Sequence, residues 1–581
     1  MIMKIKTKLH SCLQVTLLLV TVLCIPATAK ALYFDVDHIR YVTNDDNTVT
    51  VAWVDKDGDI VIPPTVTYDN KTYTVTGIAG IFYYDIYNNS HRTITGISIP
   101  STVTQINIIG ELYDNGVVYE SLRVNDALTH ITIASGNPRY DSRDNCNAII
   151  ETASNTLLVG CNNTTFVPNT VTAIRAGAFY YCSGLTSITL PNSLTTIGAF
   201  AFQGCSGLSE ITLPNTLTTI GVAAFSNCSN LTSITLPNTL TTIADEAFCN
   251  CSKLESVNIP SSVTEIGAGA FWGCSDLTEI ALPNSINIIG DGAFGECLEL
   301  TNINIPSSVT EIGPDAFYNT KITEDQHGIV YVGNWVVGYK NDLPGDCVIK
   351  NGTVGIASYT FDYHYFYESA IEPPFTNLVI PNSVLYIGDD VFYYQGEYQY
   401  EEGHFEEGRY KVSPIKTIVI GKSVKTIGSH SFYTGSQSRY NDNGTLIDGD
   451  VDLQSITCLA KVPPQTSDAF ASYILDNPIY GWYETDYVIY HRVPLYVPME
   501  SVEAYKSDEE WGRFQTIVGI EARDPSDVNG DGEVTIADVN CIVHEILYLY
   551  ISPNNLEYDV NGDGEVTIAD VNAVIDAILG N

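Results

Sequence analysis

The sequence is poor in basic residues. Its 581 residues include 27 Lys and Arg against 68 Asp and Glu, a formal net charge of −41. A chain with so little positive charge cannot neutralise a phosphate backbone, which excludes nucleic-acid binding as a function class. The hydrophobic fraction of 45% is large enough to build an extended core. We therefore expect a folded protein whose acidic surface attracts divalent cations.

Familiar catalytic motifs are missing as well. The patterns G-x-S-x-G and H-E-x-x-H and a phosphate-binding glycine loop do not occur. The ten His are scattered, and none adjoins a Cys or Ser in a nucleophile motif. Paired carboxylates remain open in so acidic a chain, although the repeated interior positions described below carry none. We therefore expect a protein that is not an enzyme.

The apolar run near the N-terminus, residues 15–25, is too short to span a membrane. Three lysines precede it, and the small residues of the sequence PATAKA follow it, which allows cleavage after Ala29 or Ala31. This order of basic, apolar and small residues predicts a Sec signal peptide over residues 1–29. The protein is then secreted or displayed at the surface of a cell, which we expect to be bacterial.

Four residue types recur with a period of 23 residues over the middle of the chain. The columns are Phe179, Phe202, Phe225, Phe248, Phe271, Phe294 and Phe317; Pro168, Pro191, Pro214, Pro237, Pro260, Pro283 and Pro306; Cys182, Cys205, Cys228, Cys251, Cys274 and Cys297; and Ile174, Ile197, Ile220, Ile243, Ile266, Ile289 and Ile312. A period in this range is typical of a solenoid, in which each unit buries its apolar face against its neighbours.

One repeat, residues 185–207, illustrates the expected coil. The spacing L-x-x-I-x-L predicts a short strand that ends before Pro191, because proline cannot donate to a strand ladder. Gly198 should let the backbone turn again. The residues expected in the interior are Leu185, Ile188, Leu190, Leu194, Ile197, Phe202 and Cys205, whereas Ser187 and Thr189 should face solvent.

The repeats ITLPNSLTTIGAFAFQGC and VNIPSSVTEIGAGAFWGC resemble the BspA-like, Treponema pallidum-type leucine-rich repeats of bacteria. The resemblance covers most of residues 32–520 and implies an extracellular binding surface without implying any chemistry. The fold class that follows is a repeat solenoid of strand-containing leucine-rich repeats, mixed α/β and β-dominated. The outward-facing positions of the regular strands are candidate contacts for a partner: Ser187, Thr189, Glu210, Thr212, Ser233, Thr235, Ser256, Asn258, Glu279, Asn302 and Asn304.

The periodicity also predicts where the solenoid begins and ends. Residues 30–93 are rich in Thr and Val with turn clusters, so we expect a β cap there. The solenoid should occupy residues 94–520, with a degenerate first repeat at 94–103 and inserted hairpins at about 137–163 and 327–342. Residues 495–520 resemble the terminal cap of the same family. In that cap, Tyr505, Trp511 and Phe514 should cover the last coil.

Several polar features have two interpretations. Asp55, Asp57 and Asp59 suit either a calcium loop or a hairpin turn, and the turn is favoured because no acid closes the twelfth position. Residues 393–410 form either a sugar-binding loop, with aromatic and acidic side chains, or an exposed loop without a ligand. Cys146 and Cys161 flank a turn near residue 153 and are either bridged across the hairpin or free.

The cysteine column also has alternatives. Adjacent coils place equivalent Cα atoms about 5 Å apart, a distance that a disulfide can span. Side chains on stacked coils point the same way and do not converge, however, so we expect small buried thiols that fill the interior. A metal site is disfavoured because thiols in a line offer no tetrahedral arrangement.

The sequence DVNGDGEVTIADVN occurs twice, starting at Asp527 and Asp559, after a polar linker at residues 521–526. Each copy has oxygen ligands at positions 1, 3, 5, 7 and 12 of an EF-hand-type loop, and a glycine at position 6 for the sharp turn. We predict two calcium ions. Their ligands are Asp527, Asn529, Asp531, Glu533 and Asp538 in the first loop and Asp559, Asn561, Asp563, Glu565 and Asp570 in the second.

A helical apolar spacing follows each loop, and no helix of adequate length precedes it. A loop followed by one helix, present twice, resembles the dockerin type I module, here over residues 527–581. That resemblance implies a cohesin-like partner contacted by loop positions 10 and 11, which are Ile536 and Ala537 in one copy and Ile568 and Ala569 in the other. These positions are often small hydroxyl residues in the family, which puts a cellulosomal cohesin in doubt.

These features together predict an exported binding protein. The solenoid would recognise a protein or glycan, and the calcium-loaded module would attach the chain to a cohesin-type scaffold or the cell surface. One alternative is a structural stalk. Another is an accessory subunit of a polysaccharide-degrading complex.

Overall fold

The structure is a computed structural model, and it describes most of residues 31–520. Outside its description within that range are residues 45, 80–92, 108–109, 115–116, 122–125, 323–327, 340–348, 362–376, 393–397, 400–408, 411–414, 433–438, 441–445, 448–452, 467, 471, 478–481 and 487. The described part is dominated by strands and contains two short α-helices, Val488–Arg492 and Val502–Ser507. The chain divides into two compact units, one ending at Asp141 and the other beginning at Ser142.

The first unit is built from strands, as the Thr- and Val-rich sequence predicts. They are Tyr33–Val36, Ile39–Thr43, Thr48–Val54, Gly58–Val61, Thr65–Tyr68, Lys71–Ile78, Ile94–Ile99, Gln105–Ile106, Gly110–Asp114, Val117–Ser121, His130–Ile133 and Tyr140–Asp141. Alternate residues of Thr48–Val54 and Lys71–Ile78, which pair in parallel, are fully buried: Val49, Val51 and Val75. The expected first repeat at residues 94–103 contains the strand Ile94–Ile99, which pairs in parallel with Gly58–Val61 and His130–Ile133.

Residues 55–59 are not a hairpin turn, so that part of the sequence interpretation is wrong. The strand before them, Thr48–Val54, pairs with Ile39–Thr43 and Lys71–Ile78. The strand after them, Gly58–Val61, belongs to a different sheet and pairs with Ile94–Ile99. Asp55 and Asp57 therefore lie in a crossover between sheets, and Asp59 lies in the strand that follows. Turn-forming residues specify a bend but not the partner of the next strand.

The second unit is a solenoid with two ladders of short parallel strands. One ladder was not predicted as strand, and each of its members ends at or beside the repeated Ile. Its members are Ala173–Ile174, Thr196–Ile197, Thr219–Ile220, Thr242–Ile243, Glu265–Ile266, Ile288–Ile289, Glu311–Ile312, Gly355–Ile356, Tyr386–Ile387, Thr426–Ile427 and Gln465–Thr466. In the regular coils each register step equals the 23-residue period, as in the pairing of Ile174 with Ile197.

The other ladder lies at the predicted L-x-x-I-x-L segment, but it begins later than expected. In the coil of residues 185–207 the segment forms only a single bridge, between Thr189 and Phe166. Strands appear there from the third coil onward: Ser233–Thr235, Ser256–Asn258, Glu279–Ala281, Asn302–Asn304, Asn377–Ile380, Thr417–Ile420, Ser455–Cys458, Leu495–Pro498 and Ile517–Ile520. The inward positions are nevertheless correct, since Leu185 and Ile188 are buried and Leu190 is partly buried.

The repeated phenylalanines form a stack through the interior. Neighbouring rings from Phe179 to Phe317 lie 4.9 to 5.7 Å apart between centroids and within 11° of parallel. A second stack continues from Tyr339 through Phe361, Phe392, Phe432 and Phe470. Parallel offset rings contribute favourable contact beyond their buried area. The stack therefore runs through both the regular and the irregular coils.

Both predicted inserted hairpins are present. Ile149–Glu151 pairs in an antiparallel fashion with Thr156–Val159, and Ile329–Val332 pairs in the same way with Trp335–Tyr339. The return strand of each hairpin then joins the Ile ladder, with Ala173–Ile174 in the first case and Gly355–Ile356 in the second. The solenoid is thus continuous through the insertions, as predicted. Antiparallel pairing also joins strands of the irregular coils. The pairs are Tyr398–Gln399 with Arg409–Tyr410, Arg439–Tyr440 with Leu446–Ile447, and Ser472–Asn477 with Trp482–Asp486.

Gly198 has a different role from the one predicted. Its φ angle is not in the left-handed region, but a Cβ at this position would lie 2.4 Å from the backbone nitrogen of Ala176 in the preceding coil. Glycine is required there for close approach of two backbones. The left-handed residue of the turn lies two positions later, at Phe200 with φ of 58°, and Glu246 and Asp315 occupy equivalent positions in other coils.

The terminal cap closes the last coil as predicted. Tyr505, Trp511 and Phe514 are all buried. The Tyr505 hydroxyl donates to the carbonyl of Ala460 (2.8 Å), and the Trp511 indole donates to the carbonyl of Pro464 (2.8 Å). Each polar group of these aromatic side chains thereby keeps a partner inside the cap.

Candidate binding surfaces and calcium loops

The polar stripe predicted on the regular strands does face outward. Ser187, Thr189, Ser233 and Thr235 are exposed, and so is every other member of the predicted set whose side chain the structure describes. Residues between them, such as Ile234 and its equivalents, are buried. The stripe is polar because these positions alternate with core positions on a strand that has one wet face. Whether a partner contacts it stays a prediction.

The cysteine column consists of buried free thiols, as predicted. Five of the six, from Cys205 to Cys297, donate to the carbonyl of the Phe in the preceding coil, as Cys205 does to Phe179 at 3.1 Å and Cys251 to Phe225 at 3.2 Å. Burial raises the pKa of the Cys205, Cys228, Cys251 and Cys274 thiols well above the ordinary value. These thiols are protonated at neutral pH and poor nucleophiles, so their role is packing and hydrogen bonding.

Cys146 and Cys161 are also free and buried, which resolves the alternative left open by the sequence. The Cys161 thiol donates to the carbonyl of Asn147 (3.4 Å). The hydroxyl of Thr164 donates to the same carbonyl (2.7 Å). The two cysteines are therefore separate buried thiols, and no disulfide joins them.

The aspartates of the N-terminal crossover are engaged by protein groups. Asp57 accepts a hydrogen bond from the backbone N–H of Thr93 (2.7 Å). Asp59 accepts one from the Thr95 hydroxyl (2.7 Å) and lies 3.3 Å from the His130 ring. Across the described ranges, no three His, Cys, Asp or Glu side chains come together in a group that could hold a metal ion.

In the sequence, the insertions of the irregular coils all enter the repeat at one place, which in the regular coils is the edge that follows the repeated Phe. They begin directly after Phe361, Phe392, Phe432 and Phe470, at the place where a regular coil turns back through its cysteine. Residues 393–410, the candidate sugar-binding loop, are described only at the two paired strands Tyr398–Gln399 and Arg409–Tyr410. Their role as a binding site stays a prediction, because the rest of the segment lies outside the described residues.

An aromatic pair on the same edge was missed by the sequence reasoning. Trp272 and Tyr318 both directly follow a repeated Phe, and their rings lie nearly parallel at 6.2 Å between centroids. The signal in the sequence is a variable column that contains three aromatic residues, Tyr180, Trp272 and Tyr318. Because the residue type changes from coil to coil, the 23-residue period does not reveal it.

The duplicated loops and residues 1–29 lie outside the described residues. The donor set of the loops can still be tested on its chemistry. Each copy offers three Asp carboxylates, an Asn side-chain oxygen and a backbone carbonyl, all hard oxygen ligands of the kind calcium takes. The glycine at position 6 and the identity of the two copies fit the same ion. The residues present therefore fit calcium.

Comparison with known proteins separates the two parts of the chain. The model of the BspA type leucine rich repeat region matches residues 152–278, 264–327 and 359–438 in six copies. The chain therefore carries BspA-type leucine-rich repeats over these residues. The model of the dockerin type I domain matches residues 525–579. Dockerin domains of this type bind calcium and attach to cohesin scaffolds, so the chain combines two kinds of binding module.

Solved structures of bacterial leucine-rich repeat proteins are similar to the chain. A T. pallidum leucine-rich repeat protein is 30% identical over 29% of this chain and 86% of its own length, with a TM-score of 0.27. One from Eubacterium ventriosum is 20% identical over 51% of this chain and 97% of its own, with a TM-score of 0.37. The pneumococcal vaccine antigen PcpA is 17% identical over 85% of this chain and 100% of its own, with a TM-score of 0.31.

No curated protein matches the chain. Among the helices of the described part, none has the length and apolar character needed to cross a membrane.

Proposed function

We propose that this protein is an exported, non-enzymatic binding protein. Its solenoid recognises an extracellular protein or glycan, and its dockerin module attaches it to a cohesin-type scaffold or the cell surface. The observation that carries this proposal is the pairing, in one chain, of a continuous solenoid with an exposed polar stripe and a dockerin match at residues 525–579. A secreted or surface location follows from the predicted signal peptide over residues 1–29.

Two calcium ions complete the dockerin module in this proposal. Asp527, Asn529, Asp531, Glu533 and Asp538 hold one ion, and the equivalent residues from Asp559 to Asp570 hold the other. When bound, calcium supplies the positive charge that lets the carboxylates of each loop lie close together. Without it, those carboxylates repel one another and the module loses its fold.

The partner surface of the module includes Ile536, Ala537, Ile568 and Ala569. The same residue pair in both copies allows the module to bind its scaffold in two orientations related by pseudo-twofold symmetry. A charged residue in one copy alone should leave the second orientation intact. Charged residues in both copies should remove both orientations.

The test is capture of the full-length mature chain by a panel of immobilised type I cohesins, in calcium and in EDTA. We expect calcium-dependent capture that survives Ile536→Lys and disappears in the double variant Ile536→Lys with Ile568→Lys. Val462→Lys, at a position 77% exposed on the solenoid, is the matched control and should bind as the parent does. Capture that persists in EDTA, or that survives the double variant, would contradict the assigned contacts.

A further inference from the structure

Trp272 and Tyr318 form a stacked aromatic pair on one edge of the regular coils. The two residues are two coils apart in the column that directly follows the repeated Phe. Their rings lie 6.2 Å apart between centroids and within 11° of parallel, and Tyr318 is 42% exposed. Large aromatic side chains usually enter the core. A partly exposed pair of parallel rings on a regular solenoid is therefore a feature to explain.

Two glycines of the intervening coil let the indole lie flat. A Cβ on Gly295 would stand 2.2 Å from the six-membered ring of Trp272, and one on Gly292 would stand 2.7 Å from it. The equivalents of Gly295 in earlier coils include Gln203 and Ser226, which have side chains. The absence of both Cβ atoms lets the indole lie against the backbone of this coil, where Trp272 stays partly exposed.

The surroundings of this pair are strongly acidic. Residues 231–320 contain eleven acidic side chains and a single basic one, Lys253. The Cγ of Glu246 and the Cβ of Trp272 both lie within 4 Å of the point where a Cβ on Gly269 would stand. Next to Tyr318, the side-chain amide of Asn319 donates a hydrogen bond to the Glu296 carboxylate (2.8 Å). An acidic side chain therefore lies near each of the two aromatic residues.

We infer that this surface, made by Trp272, Tyr318, Glu246 and Glu296, binds an arginine side chain from a basic segment of a partner protein. The inference rests on the proposed function of the solenoid as a binding surface and specifies the chemistry of its ligand. Guanidinium groups stack on aromatic faces, best on Trp, and pair with carboxylates in the same plane. A net charge of −41 also steers a basic partner toward the chain.

The chain contains a matched site that lacks the acids. Tyr181 is 40% exposed, and a Cβ on Gly204 in the next coil would stand 2.9 Å from its ring, so the ring lies over glycine as Trp272 does. Residues 161–230, however, hold one acidic side chain, Glu210, and one basic one, Arg175. The Tyr181 ring packs edge-on against Tyr180 (4.7 Å between centroids), so it offers an exposed aromatic ring over glycine, in a different pairing and without the charge complementarity.

The experiment titrates full-length mature protein with a labelled, end-blocked peptide of sequence Gly-Arg-Gly-Arg-Gly at about 0.15 M salt, a concentration that screens long-range attraction. Fluorescence anisotropy reports the dissociation constant. A twin peptide with citrulline in place of arginine has the same shape without the charge. We expect Tyr318→Ala to raise the dissociation constant roughly fivefold or more, the size of a desolvated cation–π contact. Glu296→Gln should weaken binding too, and Tyr181→Ala should change it less than about twofold.

Several results would overturn the inference. These are equal binding of the citrulline peptide, equal losses in Tyr318→Ala and Tyr181→Ala, or no binding of the arginine peptide. Retention by neutral laminarin or xyloglucan in native gels that Tyr318→Ala abolishes would assign the surface to sugars instead. Near-ultraviolet circular dichroism checks that each variant is folded. The proposed function fails separately, if the full chain shows no calcium-dependent capture by cohesins and no partner for its solenoid.

Discussion

The regular coils of residues 185–320 and the irregular coils of residues 355–470 have the same kind of core but differ in the number of residues per coil. Both stack the repeated Phe with ring centroids less than 6 Å apart, as for Phe271 with Phe294 and Phe392 with Phe432. Both keep the short Ile ladder in parallel register. The regular coils repeat every 23 residues, whereas 40 residues separate Ile387 from Ile427. The Ile ladder and the Phe stack are thus kept although the number of residues between successive strands and rings differs greatly.

The difference shows which part of the coil is free to vary. Every extra segment of the irregular coils follows the repeated Phe in the sequence, at the position that forms the edge away from both ladders in the regular coils. Lengthening a loop there costs only a slowly growing entropy term, because the strands and the ring stack stay in place. In the regular coils the same edge holds the Trp272 and Tyr318 pair. We infer that the ladders and the stack form the scaffold, and that this edge is where the chain varies for binding.

The largest effect should come from removing a ring of the stack in either region. Phe248 and Phe432 are fully buried and each lies between two other Phe rings. Phe248→Ala and Phe432→Ala should each lower the free energy of unfolding by about 3–5 kcal/mol, measured by urea denaturation. The alternative is that Phe248→Ala shows the whole expected decrease in the free energy of unfolding while Phe432→Ala lowers it by less than about 1 kcal/mol. That result would show that the core of the irregular coils is packed more loosely.

A smaller loss should follow from closing the gap between neighbouring backbones. A Cβ on Gly267 would lie 2.6 Å from the backbone nitrogen of Asp245, and one on Gly428 would lie 2.4 Å from that of Asp389. Each Gly→Ala change should destabilise by about 1–3 kcal/mol, because backbone cannot move aside cheaply. The control is Gly338→Ala, where the added methyl meets nothing within 4 Å. Chain entropy alone favours alanine, so Gly267→Ala or Gly428→Ala variants no less stable than Gly338→Ala would contradict the close approach of the backbones.

A buried thiol donates a hydrogen bond in the regular coils, and a hydroxyl does so in the irregular coils. The two bonds should contribute slightly different amounts to the free energy of unfolding. The Cys251 thiol donates to the Phe225 carbonyl (3.2 Å), and the Ser431 hydroxyl donates to the Gly428 carbonyl (2.7 Å). Cys251→Ala should cost about 1–2 kcal/mol, since it removes a hydrogen bond and leaves a small cavity. Ser431→Ala should cost about 1 kcal/mol, measured in the same urea titrations. A larger loss at Ser431 than at Cys251 would contradict the packing role of the thiols.

The smallest effect on the free energy of unfolding should come from removing a single carboxyl group. Partial burial, and then the neighbouring Asp245, raise the pKa of Asp291. The folded state therefore holds this proton more tightly than the unfolded state, so the carboxyl lowers stability as the pH rises above its unfolded pKa of about 4. Asp291→Asn should stabilise the protein by a few tenths of a kcal/mol at pH 7, a small gain because the side chain is exposed. The gain should vanish below pH 4.

Asp389 is the matched residue in the irregular coils. Its carboxylate accepts a hydrogen bond from the Ser429 backbone N–H (2.7 Å), and a neutral amide oxygen is a weaker acceptor than a carboxylate. Asp389→Asn should therefore be neutral or slightly destabilising at pH 7. Stabilisation by both variants would point to the general charge repulsion of the chain instead of the local environment.

The sequence predicted the parts of the fold that repeat. Four columns in register predicted a solenoid, the buried positions of each coil and the continuity through the hairpins. It did not predict the Ile ladder, because a two-residue strand leaves no period-two pattern to recognise. Nor did it predict the crossover at residues 55–59, since Asp and Gly mark a bend without naming the sheet that the next strand joins.

The candidate sites divide in the same way. Calcium ligands can be predicted from spacing alone, because an EF-hand-type loop takes all its ligands from one short segment. The surface of Trp272 and Tyr318 could not be predicted from spacing. It joins residues 46 positions apart and depends on Gly295 between them. The thiol contacts of the Cys column were also missed, since they pair a side chain with the backbone of another coil.

The central claim is that the solenoid is a calcium-independent scaffold and that the dockerin module depends on calcium. Hydrogen exchange of the full-length mature chain in calcium and in EDTA, read by mass spectrometry, tests it most directly. We predict that peptides from residues 525–579 lose protection in EDTA while peptides from residues 142–520 exchange identically in both conditions. Unchanged protection at residues 525–579, or a loss spread through the solenoid, would contradict the account.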